Sequence, residues 1–512
     1  MGALLTMAGL FYALFVARSA FMLEGERVFT LVDDAMISMR YGQHLAQGHG
    51  LVWNIGEAPV EGFTNPGWTL WMAALHLLPA SASTRSLLVM ASSALCLLLT
   101  SYVVFQLCRR IDPTLPIAAQ IAAIVTAFYF PLVFWSLRGM EVGAITLLIA
   151  TSALLAITLE QRFSWRSALL LAVSLLLALI IRLDSALQAG LILLYLATCG
   201  SIRQRPLRLL PPVLAVMGGI AAIIALQASY FGDPLPNTYY LKVVGVSLAE
   251  RAALGVAVLV EYASRDVLLP LVLAGFGVLR WRQMRSRKHA LLFGLFLVQC
   301  LYSVYAGGDY AEPYGQAPLV DAANRYITQG MPFLIMLCSF ALGYLVADLA
   351  QLNQPTLRAN GALAVGLTLA VLLVISGEPW LKWAAHNAPL LPSDIARARL
   401  GVLIKRNTDP QATIAVHAAG QIAYYAERRS IDLLGKSDPV VAKGPPAGPF
   451  RPGHNKWNYA YSIGQLRPDV VADEWGELPA FLATQPEYVR LPNGMYVRAG
   501  SRLIDREGLE RE

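Results

Sequence analysis

Stretches of about 20 apolar residues recur from the N-terminus to about Ser376 and then stop, and nothing else in this chain restricts its fold so severely. In hydrocarbon every backbone polar group must be paired within its own element, so each stretch is read as a spanning helix. Eleven are predicted: Leu4–Met22, Ser86–Leu107, Leu115–Ser136, Glu141–Leu159, Ser167–Arg182, Ser185–Cys199, Leu209–Ser229, Ala252–Leu279, Ala290–Tyr305, Thr328–Leu349 and Gly361–Ser376. Pro66–Leu78 is apolar but short, and is read as interfacial or re-entrant. The first span resembles a signal peptide around Ala17–Ala20 but has no basic leader segment, so a retained helix is expected.

Composition supports the same class. Of the 512 residues, 56% are hydrophobic and 14% charged, against about a quarter charged in soluble domains. The expected division is a transmembrane domain over residues 1–376 and a soluble α/β domain over 377–512. Thr413–His417 and Asp469–Ala472 read as strands, Gly420–Glu427 as a helix, and Tyr488–Val497 as a hairpin around Pro492-Asn493-Gly494. The net charge of +7 sits largely in short inter-helix loops, which argues against nucleic acid as a partner. All five cysteines (Cys96, Cys108, Cys199, Cys300, Cys338) fall in or beside apolar spans, so neither a disulfide framework nor a zinc site is expected.

The span map sorts the loops by charge. Arg109-Arg110, Arg162 and Arg166, the Arg203–Arg208 cluster, the Arg280–Lys288 cluster and Arg358 fall on one face, which the positive-inside rule makes cytoplasmic. The other face collects Asp33-Asp34, the loop through Asn65, Gly139-Met140-Glu141, Arg182-Leu183-Asp184, Phe231–Lys242, Gly307-Gly308-Asp309-Tyr310 and the soluble domain. A site at the outer membrane–water boundary is therefore expected. Adjacent carboxylates repel, so Asp33-Asp34 should include a shifted group able to handle a proton or a cation; the plain alternative is a helix cap at Asp34 beside a solvated Asp33. Charge at membrane depth is costly and points to function, but Glu141 and Asp184 stand at span ends, where the cost falls, and Arg182 and Asp184 are close enough to pair across a turn. Lys242 suits either lipid phosphates or a substrate phosphate. Trp53, Phe63, Trp68 and Trp71 suit interfacial anchoring or stacking on a sugar, and the Arg451–Trp457 loop either contact with a glycan or lipid phosphate or plain solvation. No Ser-His-Asp, P-loop or dinucleotide fingerprint is present.

These motifs together resemble the GT-C superfamily of polyprenyl-phosphate-sugar glycosyltransferases, within it the branch of the mycobacterial terminal β-(1→2)-arabinofuranosyltransferase and its proteobacterial relatives. The resemblance is carried by Asp33-Asp34-Ala35 through Arg40-Tyr41, Gly48–Asn54, Val60–Asn65, Gly139-Met140-Glu141, Gly232–Thr238 and Gly307-Gly308-Asp309. In the soluble domain Ala419–Tyr425, Ile431–Gly435, Gly453-His454 with Lys456, and Arg467-Pro468-Asp469 also fit. Two departures stand out: Arg182-Leu183-Asp184 where relatives often carry Arg-Pro-Glu or Arg-Pro-Asp, and an insert, Glu312–Ala323, before Arg325-Tyr326.

The resemblance implies a GT-C-like membrane enzyme of a bacterial inner membrane, with its site and C-terminal domain in the periplasm. It would invert the anomeric centre while moving a sugar from a polyprenyl-phosphate donor to a glycan or glycoprotein acceptor. Asp34 or Asp33 would be the base, its neighbour orienting the acceptor or a divalent cation; no organic cofactor is implied. Arg40, Lys242 and Arg325 would meet the phosphate, and Glu141, Asn237, Tyr239, Asp309 and His454 would complete substrate binding. The competing readings are transfer of a hexose or aminoarabinose to lipopolysaccharide or a surface protein, a lipid-linked glycan transporter, and a non-catalytic assembly subunit. A transporter should carry charges inside its spans and internal repeats, and neither stands out.

Overall fold

In the structure, a computed structural model, residues 1–309, 324–350, 357–386 and 392–510 are described. The insert Glu312–Ala323, Tyr310 and the side chain of Arg358 lie outside them. Six of the described helices are long and apolar enough to cross a membrane, and two bent pairs bring the number to eight. Three shorter apolar helices, Gly2–Arg18, Trp165–Ile181 and Leu183–Ala197, account for the remaining apolar stretches. The protein is a multi-pass helical membrane protein with a strand-containing C-terminal region.

Several boundaries differ from the sequence reading, each for a local reason. The first helix stops at Arg18, and a short antiparallel hairpin follows, β1 (Phe21–Leu23) and β2 (Glu26–Val28), turned by Glu24 and Gly25 in the left-handed region. The stretch Leu115–Ser136 is broken into Pro116–Phe128 and Phe130–Leu137, bent by 46°. Tyr129 at the break is extended, and Pro131 sits in the first turn of the second piece, where its missing N–H does no harm. The last long helix runs past Ser376 to His386. Pro66–His76 is a helix of 11 residues, about 16 Å long, too short to span.

The basic ends of the helices meet one another. Arg110 reaches Gln161, Arg287 reaches Thr198 and Arg280 pairs with Asp348. The helix Asp33–Ala46 lies outside the spanning set and packs on Pro66–His76 and on Gln421–Ala426 of the C-terminal region.

The C-terminal sheet has the order β4-β3-β5-β7-β6, with β3 Thr413–Val416, β4 Arg429–Asp432, β5 Val470–Val471, β6 Tyr488–Arg490 and β7 Tyr496–Arg498. The first three are parallel, and β6 and β7 form the antiparallel hairpin. β4 was not foreseen: its sequence Arg-Ser-Ile-Asp is too short and polar to declare a strand, and its parallel pairing with β3 makes it one. The sheet shares its core with the Asp33–Ala46 helix: Ile37, Tyr41, Trp53 and Phe63 pack in one cluster with Ile404, Ile414, Val416, Ile422, Ala423 and Val470. Burial at this joint is thus a true core contact.

Polar clamps fix the same joint. Arg40 is buried and donates to the carbonyls of Trp53, Ala423 and Arg428 and to Asn54 Oδ1. The buried Arg138 pairs with Asp394 at 3.0 Å, whose other oxygen accepts from Gln421.

Candidate active site

The carboxyl ends of the parallel strands face the membrane helices, the usual placement of sites in parallel sheets. Two of them hold the first outer helix. After β3 the chain turns at Gly420, where a Cβ would lie 1.8 Å from the Asp33 carbonyl oxygen, so only glycine permits the approach. The Asp33 carboxylate then accepts from the backbone N–H groups of Gly420 and Gln421 at 3.1 and 3.0 Å. After β4, Asp432 gathers the N–H groups of Leu434, Gly435 and Ser437, and Asn237 donates to the carbonyls of Gly435 and Lys436. That loop presents Lys436.

The adjacent aspartates therefore point different ways. Neither caps its own helix, whose N-cap is Val32 without a side-chain bond. Asp33, partly exposed, ties down the C-terminal domain, whereas Asp34 turns into a polar cavity of about 60 Å³. Its Oδ1 takes Lys436 Nζ and its Oδ2 takes Arg325 Nη1, each at 2.9 Å. Burial acts to raise the Asp34 carboxyl, but Lys436 and Arg325 overcome it and hold the group well below the usual carboxylate range.

Arg325 is itself placed on both sides. Asn324 caps its short turn by accepting from the N–H groups of Tyr326 and Ile327. Asp309 takes Arg325 Nε at 3.1 Å, reached through Gly307 and Gly308, both at positive φ. His454 also lines the cavity; burial and the charge of Lys436 push it well below the usual histidine range, so it is neutral, with Nδ1 donating to the Pro452 carbonyl.

Lys242 completes the wall and leads out of it. Its ammonium donates to Tyr326 Oη at 3.2 Å. Together with Thr64 and Thr238 it also lines a second cleft of about 630 Å³, walled mostly by apolar side chains including Leu187, Leu235, Val298 and Leu301. A small charged cavity and a large apolar cleft thus share a wall at Thr64, Thr238 and Lys242. Tyr239 lines only the apolar cleft, its hydroxyl 3.3 Å from that of Tyr305.

Of the candidates from sequence, Asp34, Lys242, Asp309, Arg325 and His454 share the cavity. Glu141 stands behind it, accepting from Asn65 and pairing with Arg182 at 2.7 Å, while Arg182 also pairs with Asp184 across the turn. Asp33, Arg40 and Asn237 face the C-terminal domain instead. Trp53 and Trp68 are buried and bonded to the Ser430 and Gly139 carbonyls, so they neither anchor at an interface nor offer a stacking face; Trp71 remains 43% exposed. In the 451–457 loop, Lys456 is buried on the Ala442 and Tyr240 carbonyls. The residue missed was Lys436, which follows the Ile431–Gly435 motif directly; its place next to that motif was the available signal. Among the described residues no three His, Cys, Asp or Glu side chains converge on one point.

Comparison with known proteins gives the following. A family model described as a domain of unknown function (DUF8728) matches residues 392–504. No curated protein sequence matches. Among solved structures, the Archaeoglobus fulgidus oligosaccharyltransferase tethered with an acceptor peptide is similar at a TM-score of 0.57 and 11% identity, over 98% of this chain and 74% of that one. The same enzyme in complex with Zn and sulfate gives 0.60 and 12%, over 98% and 73%. ArnT from Cupriavidus metallidurans bound to undecaprenyl phosphate gives 0.52 and 12%, over 84% and 85%. Identities this low speak to architecture, and the architecture is clear: the chain has the GT-C fold, a helical membrane body joined to a C-terminal α/β region.

Proposed function

We propose that this protein is an inverting glycosyltransferase that takes a sugar, arabinofuranose in the first instance, from a polyprenyl-phosphate donor and passes it to a cell-envelope glycan or surface protein. The observation that carries the reading is the apolar cleft set against the charged cavity, with Lys242 lining both. A polyprenyl chain suits the cleft, and its phosphate then meets Lys242 and Arg325. Asp34 takes the proton of the acceptor hydroxyl as that oxygen attacks the anomeric carbon opposite the phosphate, whose departure the cations stabilise. The similar ArnT structure holds undecaprenyl phosphate, and the similar oligosaccharyltransferase an acceptor peptide, in keeping with a lipid-linked donor and a glycan or peptide acceptor.

The reading includes a transmembrane domain over 1–376, a soluble domain over 377–512, and a bacterial inner membrane with the basic loops cytoplasmic and the cavity periplasmic. Asp33, Arg40 and Asn237 then act by holding the C-terminal domain, and Glu141 by orienting Asn65. The test is transfer from polyprenyl-phosphoryl-arabinofuranose to a panel of glycans and proteins, read by mass spectrometry, with wild type and Asp34→Asn. A pentose added by wild type and lost in folded Asp34→Asn is the expected result. Transfer of an aminoarabinose or hexose in its place would move the protein to the competing reading given by the sequence, and unchanged turnover in Asp34→Asn would remove the base.

A further inference from the structure

Asp34 is a poor base in the arrangement described: both oxygens are engaged by cations, and a carboxylate stabilised that strongly has little appetite for a proton. The charge balance of the cavity shows a way out. Its described walls carry two carboxylates, Asp34 and Asp309, and three cations, Lys242, Arg325 and Lys436. One more negative charge would balance them. A sugar phosphodiester brings that one charge.

Resting on the function proposed above, we propose that Lys436 and Arg325 are shared between the base and the leaving phosphate, passing from Asp34 to the phosphate as the sugar is transferred. The bonds and charges close. The acceptor oxygen bonds to the anomeric carbon and releases its proton to Asp34, whose charge goes from minus one to zero. The bond between that carbon and the phosphate oxygen breaks with its electron pair staying on oxygen, and the phosphate goes from minus one to minus two. Total charge in the cavity is unchanged, so the cations need only change partners. Lys436 is built for this: its backbone is held by Asn237, while its ammonium ends a flexible four-carbon stem. Arg325 needs less movement, because Asp309 keeps its Nε while Nη1 turns.

The exchange makes the donor a switch for its own base. Among the described residues, the titratable and charged groups facing Asp34 are Lys436 from the loop after β4, Arg325 beside Asp309, Lys242 across the cavity, neutral His454, and Asp33 on its own helix, turned toward Gly420. When the phosphate draws the cations away, Asp34 recovers ordinary basicity. Lys436 thereby makes the C-terminal domain part of the reaction, a role that docking alone would not give it.

The experiment is a pH profile of transfer by the full-length protein in lipid nanodiscs, for wild type, Lys436→Met and Lys436→Arg, with undecaprenyl phosphate binding measured alongside. The acid limb of kcat/KM reports Asp34 before the donor binds, and that of kcat reports it in the complex. The wild-type limb should stand at higher pH in kcat than in kcat/KM. In Lys436→Met the kcat/KM limb should move up toward that of kcat, undecaprenyl phosphate should bind at least about tenfold more weakly, and kcat should fall about 10²–10³-fold. Lys436→Arg should bring the limb and the binding back toward wild type. Coincident limbs in wild type, or an unmoved limb in folded Lys436→Met, would overturn the exchange while leaving the glycosyltransferase reading intact. Absence of transfer by wild type from any lipid-linked sugar would instead sink that reading. Undecaprenyl phosphate binding measured at about pH 4, the ordinary carboxylate range, should take up more proton in wild type than in Asp34→Asn; that difference would still support the exchange, and equal proton change in both would end it.

Discussion

Replacing Asp33 and Asp34 one at a time should give opposite kinds of damage, although the two are neighbours in sequence. The Asp33 carboxylate accepts two backbone N–H bonds from Gly420 and Gln421. A hydrogen bond to a charged group contributes about 1.5–3 kcal/mol net, and because Asp33 is half-exposed, water will replace part of what is lost. Asp33→Ala should therefore cost about 2–4 kcal/mol of stability, lower the thermal midpoint and loosen the C-terminal region to proteolysis, while kcat per folded molecule stays within about threefold of wild type. Asp34→Asn removes the proton acceptor. General-base catalysis contributes about 10²–10⁴-fold, or ~3–5 kcal/mol of barrier, and kcat should fall by that amount in protein that still folds. Thermal melts, limited proteolysis and initial rates on the same preparations separate the two. If Asp33→Ala melts with wild type yet loses as much kcat as Asp34→Asn, the division of labour argued here is wrong.

Stability should also depend on pH through Glu61, a buried carboxyl bonded by Gln227, which burial pushes up from an ordinary 4.5 to about 7. A raised carboxyl stabilises the fold fully below its unfolded value and loses that contribution as pH rises through the folded one, so the thermal midpoint should fall between pH 5 and pH 8. The effect is on the order of 3 kcal/mol, and Glu61→Gln should flatten it; a wild-type and variant difference that does not change with pH would contradict the assignment. Gly420→Ala should undock the C-terminal domain, because the added carbon would lie 1.8 Å from a backbone oxygen that cannot move aside, and normal transfer by this variant would show the contact is absent in solution. Lys242→Met, at the junction of cleft and cavity, should raise KM for the lipid donor about tenfold or more; an unchanged KM would detach the cleft from donor binding.

The membrane architecture was legible because hydrophobic length is a local property. The short C-terminal strands β3 and β5 were legible as short apolar runs, and the β6–β7 hairpin from its turn residues. What sequence withheld was direction. Asp33 and Asp34 are indistinguishable as letters, and only the helix that carries them, with Gly420 on one side and Lys436 on the other, sends one to a backbone and the other to a cavity. Arg40 has the composition of a phosphate ligand and the surroundings of a rivet, since its described hydrogen bonds all go to carbonyl oxygens and its guanidinium lies over the Trp53 ring. Trp53 and Trp68 passed for surface aromatics because burial against residues distant in sequence, the C-terminal domain for Trp53 and the Gly139 turn for Trp68, leaves no mark on neighbouring residues.

The pairing of Asp34 with Lys436 spans 402 positions, and that distance sets a clock on biosynthesis. The carboxylate is made among the first few dozen residues. At ~5–20 residues per second its lysine partner follows roughly 20–80 s later, after every spanning helix has been threaded. Until then the early helix carries a carboxylate and an apolar face, Ile37 and Tyr41, whose covering strands do not yet exist. A ribosome that stalls short of Lys436 leaves a chain already in the bilayer but without a finished reaction centre, and with a sticky, acidic helix on display. Premature products should therefore be inert as enzymes and conspicuous to membrane proteases, so that transfer begins only on chains translated nearly to the end.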